Sequence, residues 1–524
     1  MPAALIRLLE RRGLAGAVVL AGIGIVLLTA YSLRHAYIGD AAIYLPYARN
    51  AADGHLFQFN VGEFSSGSTS PLWALLLAVP FLFTSSVMAA KAFAAVFAVL
   101  AFLATVVAAQ RVSRSWTAAA VGSLVFLGPA AYFAVSLYES GLVLTLSALA
   151  LVAGERAYRL WQANGRLTTG AAAPLVAVWA ALPLARPDSV LVVAAQAVAL
   201  FAFAPVPRRQ AARALAPALA VAAVPAAAYF GYSYAELDTF STSSQGRAFA
   251  LHEASRKLVG PFYRSDDAID EVLGNPWVFA VVPALAGLVL LARRVETRWL
   301  ALHGGAVLAG YLFLLTFVAP GFHDTPRYLL PVVPVVAASA AYLVAQARGT
   351  ALWWVAVAAA VLALGGSAGF WLRDQVDLIQ SFVLTNHEVF ERDVTATINR
   401  LARPDDVVLA YEVQLRQYLR PDVRVLSQDG ITDGKVHPYQ DGRDMTAFLL
   451  RYRPRWWIAD QNVKFRRYLH GTVLDRAFDD FKRTPERAAR SLDGIRFTLV
   501  ERRDRPIAPG FGGWQMLFRL SYPS

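Results

Sequence analysis

The segment LAGAVVLAGIGIVLLTAY at residues 14–31 decides the fold class. It is uncharged and apolar, and a helix of about 20 such residues crosses the hydrocarbon core of a bilayer. Arg7, Arg11 and Arg12 precede the run, and no Ala-x-Ala cleavage pattern follows it. We therefore predict an uncleaved first transmembrane helix with the N-terminus in the cytoplasm.

The composition of the whole chain also indicates a membrane protein. Of the 524 residues, 57% are hydrophobic and 16% are charged, whereas soluble proteins average about 45–50% and about 25%. The same figures exclude intrinsic disorder. The sequence has no cysteine, so an exported domain must be held together by packing rather than by disulfides.

Further apolar runs predict the remaining spans, and arginines orient them. The runs lie near residues 88–110, 117–137, 141–154, 170–185, 189–205, 214–231, 276–292, 299–319, 328–346 and 351–371. Every loop then assigned to the cytoplasm is basic, as the positive-inside rule requires. The pattern predicts a polytopic α-helical membrane protein with about 11 transmembrane helices, a transmembrane domain over residues 1–371 and an extracytoplasmic domain over residues 372–524.

The apolar run from Pro71 to Phe83 is too short for this count. It would form about 20 Å of helix, against a core of about 30 Å. Counting it as a span would also place Arg111 and Arg114 outside. We predict a re-entrant or interfacial helix with Ser70 as its N-cap and Pro71 at its first position. A short tilted span is the alternative.

The C-terminal tail has a different pattern, because short β-rich runs alternate with helical stretches. The runs are DVVLAY, VRVLS, RWWIAD and RFTLV, and the helical stretches lie near residues 386–402 and 442–452. They predict a small α/β domain. Arg455, Trp456 and Trp457 could bind polysaccharide, but buried strand residues flanked by solvated arginines are the more frequent meaning of such a run.

Asp40 is the first candidate for chemistry. It lies a few residues beyond the first span, where a carboxylate at the membrane boundary could act as a general base or hold a cation. Its alternative role is the N-cap of a helix over residues 41–50.

Two arginines at outer ends of spans could bind a phosphate, since a guanidinium makes two charge-assisted hydrogen bonds to one. Arg327 begins the span RYLLPVVPVV, and snorkelling to the interface is its alternative role. Arg186 occupies a tight outer turn with Asp188, where a surface ion pair would explain it equally well.

The second segment predicted to lie outside, residues 232–275, contains carboxylates among aromatic residues, around Tyr234, Glu236 and Asp238. Rings that stack on sugars and acids that accept hydroxyl protons suit sugar binding, although a solvated loop has the same pattern. The sequence has no Walker loop, no Gly-rich dinucleotide turn and no HExxH motif, so nucleotide-driven chemistry is not supported. The net charge of +12 fits anionic lipid headgroups better than nucleic acid.

Six blocks in order carry a resemblance to a known family. They are IGDAAIYLPYARNAADGHLFQFNVGE followed by GSTSPLWALL, YESGL, LARPDS, YFGYSYAELDTF, RYLLPVVPV, and VVLAYEVQLRQYL with VRVLSQDGITD. In these blocks the chain resembles the GT-C superfamily of integral-membrane glycosyltransferases. It is most similar to the actinobacterial arabinofuranosyltransferase and mannosyltransferase type.

The resemblance implies an inverting enzyme of the cell membrane. It would move a sugar from a polyprenyl-phosphate donor to a hydroxyl acceptor of a cell-envelope glycan, lipid or protein. Asp40 matches the first-loop acid that takes the acceptor proton, and Arg327, assisted by Arg186, would neutralise the lipid phosphate. The expected sugar- or acceptor-binding residues are Tyr44, Arg49, Glu139, Tyr234, Glu236, Asp238 and His323.

The chain departs from the family pattern at two places. Relatives commonly have two acids where this chain has Gly39 and Asp40, so no metal ligands are assigned, although a divalent cation remains an option. Many relatives also have an acid after the Ser-Gly of the fourth span, whereas here Glu139 precedes that pair. A lipid-linked sugar transporter or flippase and a non-catalytic glycan-binding scaffold are the alternative functions. A transporter should show charged or Gly/Pro-broken spans near the bilayer centre and an inverted repeat. Here the ionisable residues collect at the outer ends of the spans and no repeat is visible, which favours the enzyme.

Overall fold

The computed structural model describes a large part of the chain. The described residues are 12–34, 39–240, 278–314, 325–348, 350, 357–358, 361–362, 387–411, 413–440, 442–460, 469–484, 488–508 and 511–523. His323, most of the predicted span 351–371 and much of the second outer segment lie outside them.

Helices make up most of the first two thirds of the described chain. They are α1 (Arg12–Ser32), α2 (Tyr44–Ala52), α3 (Pro71–Phe81), α4 (Val87–Ser113), α5 (Trp116–Gly122), α6 (Pro129–Val135), α7 (Ser140–Asn164), α8 (Thr169–Ala185), α9 (Val190–Ala202), α10 (Arg208–Leu237), α11 (Val278–Arg293), α12 (Arg298–Phe313), α13 (Thr325–Tyr328) and α14 (Val333–Gln346). Short 3-10 helices link several of them, at Gly39–Ile43, Ser123–Leu127, Pro187–Ser189, Val295–Thr297 and Leu330–Val332. A helix or helix pair coincides with each predicted apolar run up to residue 346.

Four helices in the described part, α1, α4, α7 and α10, are long and apolar enough to cross a membrane. A fifth span results if the segment Trp116–Leu127 and α6, which meet at a bend of 65°, are counted together. Pro129 begins α6 directly after Gly128, and such a pair accounts for the bend. With the apolar composition, these helices identify a membrane protein. The count of eleven spans and their orientation stay predictions.

Helix α14 is surrounded by other helices, and two of these neighbours approach its main chain closely because they have a glycine at the contact. A Cβ atom at Gly122 of α5 would overlap the carbonyl oxygen of Ala337, and one at Gly287 of α11 would overlap that of Ser339. Small residues at helix contacts are the usual means of close packing in membranes. The side chains along α14 are accordingly almost all buried.

Helix α3 has the N-terminus predicted for it. The Ser70 hydroxyl accepts a hydrogen bond of 3.2 Å from the Trp73 amide, and Pro71 is the first helical residue. The buried Trp73 indole donates to the Leu137 carbonyl at 2.8 Å, which ties α3 to the segment before α7. With 11 residues, α3 is about 16 Å long and does not match the thickness of a bilayer core. A re-entrant or interfacial placement stays a prediction.

The tail contains a six-stranded sheet in the order β2-β1-β3-β6-β5-β4. The strands are β1 (Val407–Ala410), β2 (Arg424–Ser427), β3 (Trp456–Asp460), β4 (Ala489–Leu492), β5 (Ile495–Ala508) and β6 (Phe511–Ser521), and the accompanying helices are α15 (His387–Leu401), α16 (His437–Gln440), α17 (Met445–Tyr452) and α18 (Val473–Arg483). Strand β1 pairs in parallel with β2 and β3, and the other pairs are antiparallel. The expected α/β character is confirmed, whereas the boundary at residue 372 stays a prediction.

The two faces of the sheet belong to different apolar clusters, because successive strand residues point to opposite sides. Trp456 and Ile458 belong to the cluster that continues into the helices around α2. Trp457 packs on the other face, stacked on Phe518 at 5.1 Å between ring centroids. Both tryptophans are buried, so they are strand residues of the core rather than an exposed polysaccharide surface.

Polar contacts join the edge strand β2 to the segment between α2 and α3. The Asn60 side chain donates to the Val425 carbonyl at 2.8 Å and accepts from the Val425 amide at 2.9 Å. Glu63 forms ion pairs with Arg424 and Lys435. An edge strand leaves main-chain groups without a ladder partner, and Asn60 supplies both partners at this residue.

Candidate active site

Buried charges meet where α7 begins and α8 ends. Glu139 is the residue before α7, and Arg186 is the residue after α8. Their relative exposures are 2% and 3%, and Arg186 Nε lies 3.8 Å from Glu139 Oε1. Charged residues are seldom buried to this degree unless they are paired or functional.

Arg186 also connects this pair to α13. Its Nη1 atom donates to the Arg327 carbonyl at 2.9 Å, and its Nε atom lies 2.8 Å from Asp188 Oδ1. The Arg186–Asp188 pair considered from the sequence therefore forms, with Arg186 buried and Asp188 partly buried. Within the described part of the chain, Arg186 Nη2 and Asp188 Oδ2 make no hydrogen bond.

The electrostatic balance keeps Arg186 charged. Burial by itself would lower the pKa of its guanidinium, but the negative charges of Asp188 and Glu139 outweigh burial and raise that pKa. Arg186 is consequently a permanent cation in a site largely shielded from water.

Aromatic rings line the two guanidinium groups. The Arg186 guanidinium lies over the Tyr328 ring at 4.3 Å, and that of Arg327 lies over the Tyr138 ring at 4.4 Å. Arg327 Nη2 also donates to the Tyr328 hydroxyl at 3.3 Å. Arg327 is only 5% exposed, so its side chain packs inside the protein instead of snorkelling outward. Cation–π contacts of this kind partly replace lost hydration.

Tyr44 extends the cluster to the segment between α1 and α4, residues 33–86, which is the first segment predicted to lie outside the membrane. Its hydroxyl donates to Glu139 Oε2 at 2.8 Å and lies 2.9 Å from Thr69 Oγ1. Burial, and next the negative charge of Glu139, raise the pKa of Tyr44 well above its ordinary value. The phenol therefore stays protonated and holds the Glu139 carboxylate in place.

Asp40 lies in the 3-10 helix Gly39–Ile43, which runs directly into α2. Helix α2 begins at Tyr44 with Ile43 in the N-cap position, so Asp40 is not the N-cap of that helix. The Asp40 side chain lies outside the described residues. The chain order nevertheless puts its backbone four residues before Tyr44 of the buried cluster.

Four other predicted site residues lie elsewhere in the described structure. Arg49 donates to the Gln417 carbonyl at 2.9 Å and so faces the tail. Tyr234, Glu236 and Asp238 are exposed near the end of α10, where the ring of Tyr234 contacts Phe240 at 5.0 Å. His323 lies outside the described residues.

Four residues of the cluster were not assigned to the site from the sequence: Thr69, Tyr138, Asp188 and Tyr328. Tyr138 and Asp188 each flank a predicted site residue by one or two positions, and Tyr328 follows Arg327. Aromatic residues adjacent to arginines at span ends are the signal that could have identified the tyrosines.

No group of three or more metal-ligating His, Asp or Glu residues occurs in the described portion. Asp40 and His323 are not covered by that statement, because their side chains lie outside the described residues. The option of a divalent cation stays a prediction.

Comparisons with known proteins give a structural likeness but no match in sequence. No family model matches the chain. No curated protein sequence matches it. The crystal structure of ArnT from Cupriavidus metallidurans bound to undecaprenyl phosphate superimposes with a TM-score of 0.58 and 14% identity, over 95% of this chain and 97% of that one. The chain shares its fold with ArnT over nearly its full length. At this identity the likeness shows the fold alone, and membership of the GT-C superfamily and the actinobacterial type stay predictions.

Proposed function

We propose that the chain is a polyprenyl-phosphate-dependent inverting glycosyltransferase of the cell membrane. It would transfer a hexosyl or pentosyl group to a hydroxyl of an envelope glycan, lipid or protein on the outer side of the membrane. The arabinofuranosyl and mannosyl alternatives come from the sequence resemblance.

The observation that carries the proposal is the buried pair Arg186 and Arg327. A lipid phosphate that leaves during transfer develops negative charge, and fixed cations in a water-poor site stabilise such charge most effectively. The donor atom Arg186 Nη2 has no hydrogen-bond partner in the described structure and is available to a phosphate oxygen. The ArnT structure was determined with undecaprenyl phosphate bound, which supports the same lipid class for this fold.

The proposed step has one base and one leaving group. The acceptor hydroxyl oxygen attacks the anomeric carbon as Asp40 takes its proton, and the bond from that carbon to the phosphate oxygen breaks. The electron pair leaves with the lipid phosphate, where Arg327 and Arg186 neutralise it. Attack from the face opposite the phosphate inverts the anomeric centre. These cations lower the barrier only if they interact more strongly with the phosphate in the transition state than with the phosphate of the bound donor.

The remaining predicted residues would bind sugar or acceptor. Glu139 accepts a hydrogen bond from Tyr44 and faces Arg186. Its carboxylate would accept a hydrogen bond from a sugar hydroxyl or orient the arginine. Tyr234, Glu236 and Asp238 would contact an acceptor only if it extended to the end of α10. Arg49 is better suited to anchoring the tail, given its bond to the Gln417 carbonyl.

A donor panel tests the proposal directly. Purified protein is incubated with undecaprenyl- and decaprenyl-phosphate esters of arabinose, mannose, glucose and galactose, together with n-octyl glycosides as acceptors. We expect one donor to lose its sugar to an acceptor, with inversion visible by NMR. The double variant Arg186→Ala/Arg327→Ala should abolish transfer, while Arg293→Ala, at an exposed arginine at the end of α11, should not.

The outcomes also separate the alternative functions. If a donor crosses the bilayer of a proteoliposome without losing its sugar, the protein is a transporter and the proposal is wrong. If no donor is consumed or moved but glycan binds, the scaffold function is correct instead.

A further inference from the structure

The 3-10 helix Val413–Tyr418, named here the tail helix, lies beside the segment that carries Asp40. It follows β1 on the carboxyl side of the parallel strands, the side on which open α/β sheets usually bind ligands. It packs against the 3-10 helix Gly39–Ile43 and against α2. The C-terminal sheet therefore contributes to the surroundings of the proposed site.

Apolar packing and one hydrogen bond fix the tail helix there. Val413 and Leu415 are buried in the same apolar cluster as Ala42 and Leu45. The Gln417 carbonyl accepts the Arg49 hydrogen bond, so its main chain is anchored to α2. The backbone of Gln417 is therefore held in place by contacts that do not involve its side chain.

The Gln417 side chain makes no hydrogen bond in the described structure. It is 9% exposed, yet neither Nε2 nor Oε1 has a partner. By contrast, the buried Gln196 accepts from the Trp179 indole at 2.8 Å and donates to the Ala150 carbonyl at 2.7 Å. A buried polar group without a partner destabilises the folded state, so the Gln417 amide lowers stability unless a ligand binds to it.

We propose that the Gln417 amide binds a hydroxyl group of the acceptor. An amide offers two donor hydrogens and an acceptor oxygen, which match the donor and acceptor character of a sugar hydroxyl. The tail helix would then bind the acceptor, while Arg186 and Arg327 would bind the phosphate of the donor. This inference rests on the proposed function and specifies which part of the chain recognises the acceptor.

Gln417→Met tests the inference, because methionine keeps the volume and removes both amide atoms. Two quantities are measured with n-octyl glycosides: the acceptor KM in the transfer assay, and binding without donor by saturation-transfer NMR. We expect acceptor KM and the dissociation constant to rise about ten- to hundredfold. The kcat at saturating acceptor and the affinity for undecaprenyl phosphate should not change. Gln162→Met, at an exposed glutamine in α7, is the matched control.

A purely structural Gln417 gives the opposite result. Removing an unbonded buried amide should then leave acceptor KM unchanged and raise the melting temperature, and that outcome overturns the inference. Failure of the wild-type protein to bind any glycoside overturns it as well. If glycosides bind through Gln417 but no donor is consumed, the acceptor site stands and the proposed transferase activity is wrong.

Discussion

Glu139, Arg186 and Arg327 are buried, whereas Arg111 and Arg293, also at helix ends, are exposed. Taking each charge out of water costs several kcal/mol, which only close partners offset. Arg186 has carboxylates on two sides, and Arg327 has tyrosine rings. The free-energy cost of burying these charges is expected at a site that binds a charged ligand.

Asp40→Asn should abolish transfer without unfolding the protein, because the amide keeps the shape of the carboxylate but cannot accept the acceptor proton. A general base contributes about 10²- to 10⁴-fold, and we expect a loss of that size in kcat. Asp53→Asn, at an exposed acid of the same outer segment, should be neutral. Normal turnover of the Asp40 variant would refute the assigned base.

Arg327→Ala should weaken donor binding more than acceptor binding. Hydrogen bonds to charged groups contribute about 1.5–3 kcal/mol, so we expect about ten- to hundredfold weaker binding of undecaprenyl phosphate. Binding is measured as ligand-dependent thermal stabilisation, with Arg293→Ala as the control. Equal loss of donor and acceptor affinity would count against a phosphate-binding role.

At the level of elements, the side chain of one buried glutamine joins α7, α8 and α9 through two hydrogen bonds. Gln196 of α9 bonds to Trp179 of α8 and to the Ala150 carbonyl of α7. Gly154 lies one turn further along α7, where a Cβ atom would overlap the Gln196 amide nitrogen. The absence of a side chain at Gly154 therefore makes room for the glutamine.

Gly154→Ala should destabilise the protein by about 1–3 kcal/mol, because Gln196 must move and lose a buried hydrogen bond. Thermal unfolding in detergent measures the effect. Gly305→Ala in α12 is the matched control, since a Cβ there meets no atom within 4 Å and alanine favours a helix by up to about 1 kcal/mol. In the background Gln196→Ala, the Gly154 substitution should cost less. Equal stability of the Gly154→Ala and Gly305→Ala variants would contradict the close contact between Gly154 and Gln196.

At the level of the whole molecule, contacts between distant parts of the sequence assemble the proposed site. The first outer segment, the ends of α7 and α8, α13 and the tail helix each contribute to it or lie beside it. The bonds of Asn60 and Glu63 to the β2 region attach the sheet to the first outer segment. The proposed reaction requires all these parts on the outer side of the membrane.

Fusion reporters test this orientation. Reporters placed after residues 60, 250 and 372 should all be exposed outside the membrane, because the basic loops hold the opposite ends of the helices in the cytoplasm. A reporter after Arg166, between α7 and α8, should be inside. A tail found in the cytoplasm would remove the whole active-site assignment.

Local patterns in the sequence determined the elements of this protein. Apolar runs predicted helices through residue 346, Ser70 and Pro71 predicted the start of α3, and four β-rich runs predicted β1, β2, β3 and β5. Strands β4 and β6 and helix α18 were not predicted. Strand formation depends on pairing with other strands as well as on local preference, and β4 and β6 both pair with β5.

The sequence also selected Arg186 and Arg327, because an ionisable residue at a membrane boundary often marks a functional site, and the family resemblance added Glu139 and Tyr44. Only the tertiary structure brought them together. Tyr44 bonds to Glu139 across 95 positions, and Arg186 bonds to the Arg327 carbonyl across 141. Hydrophobicity and flanking charge act over a few neighbouring residues and can be read in order along the chain. Burial and pairing of charges depend on how helices pack, and that packing is a property of the folded chain as a whole.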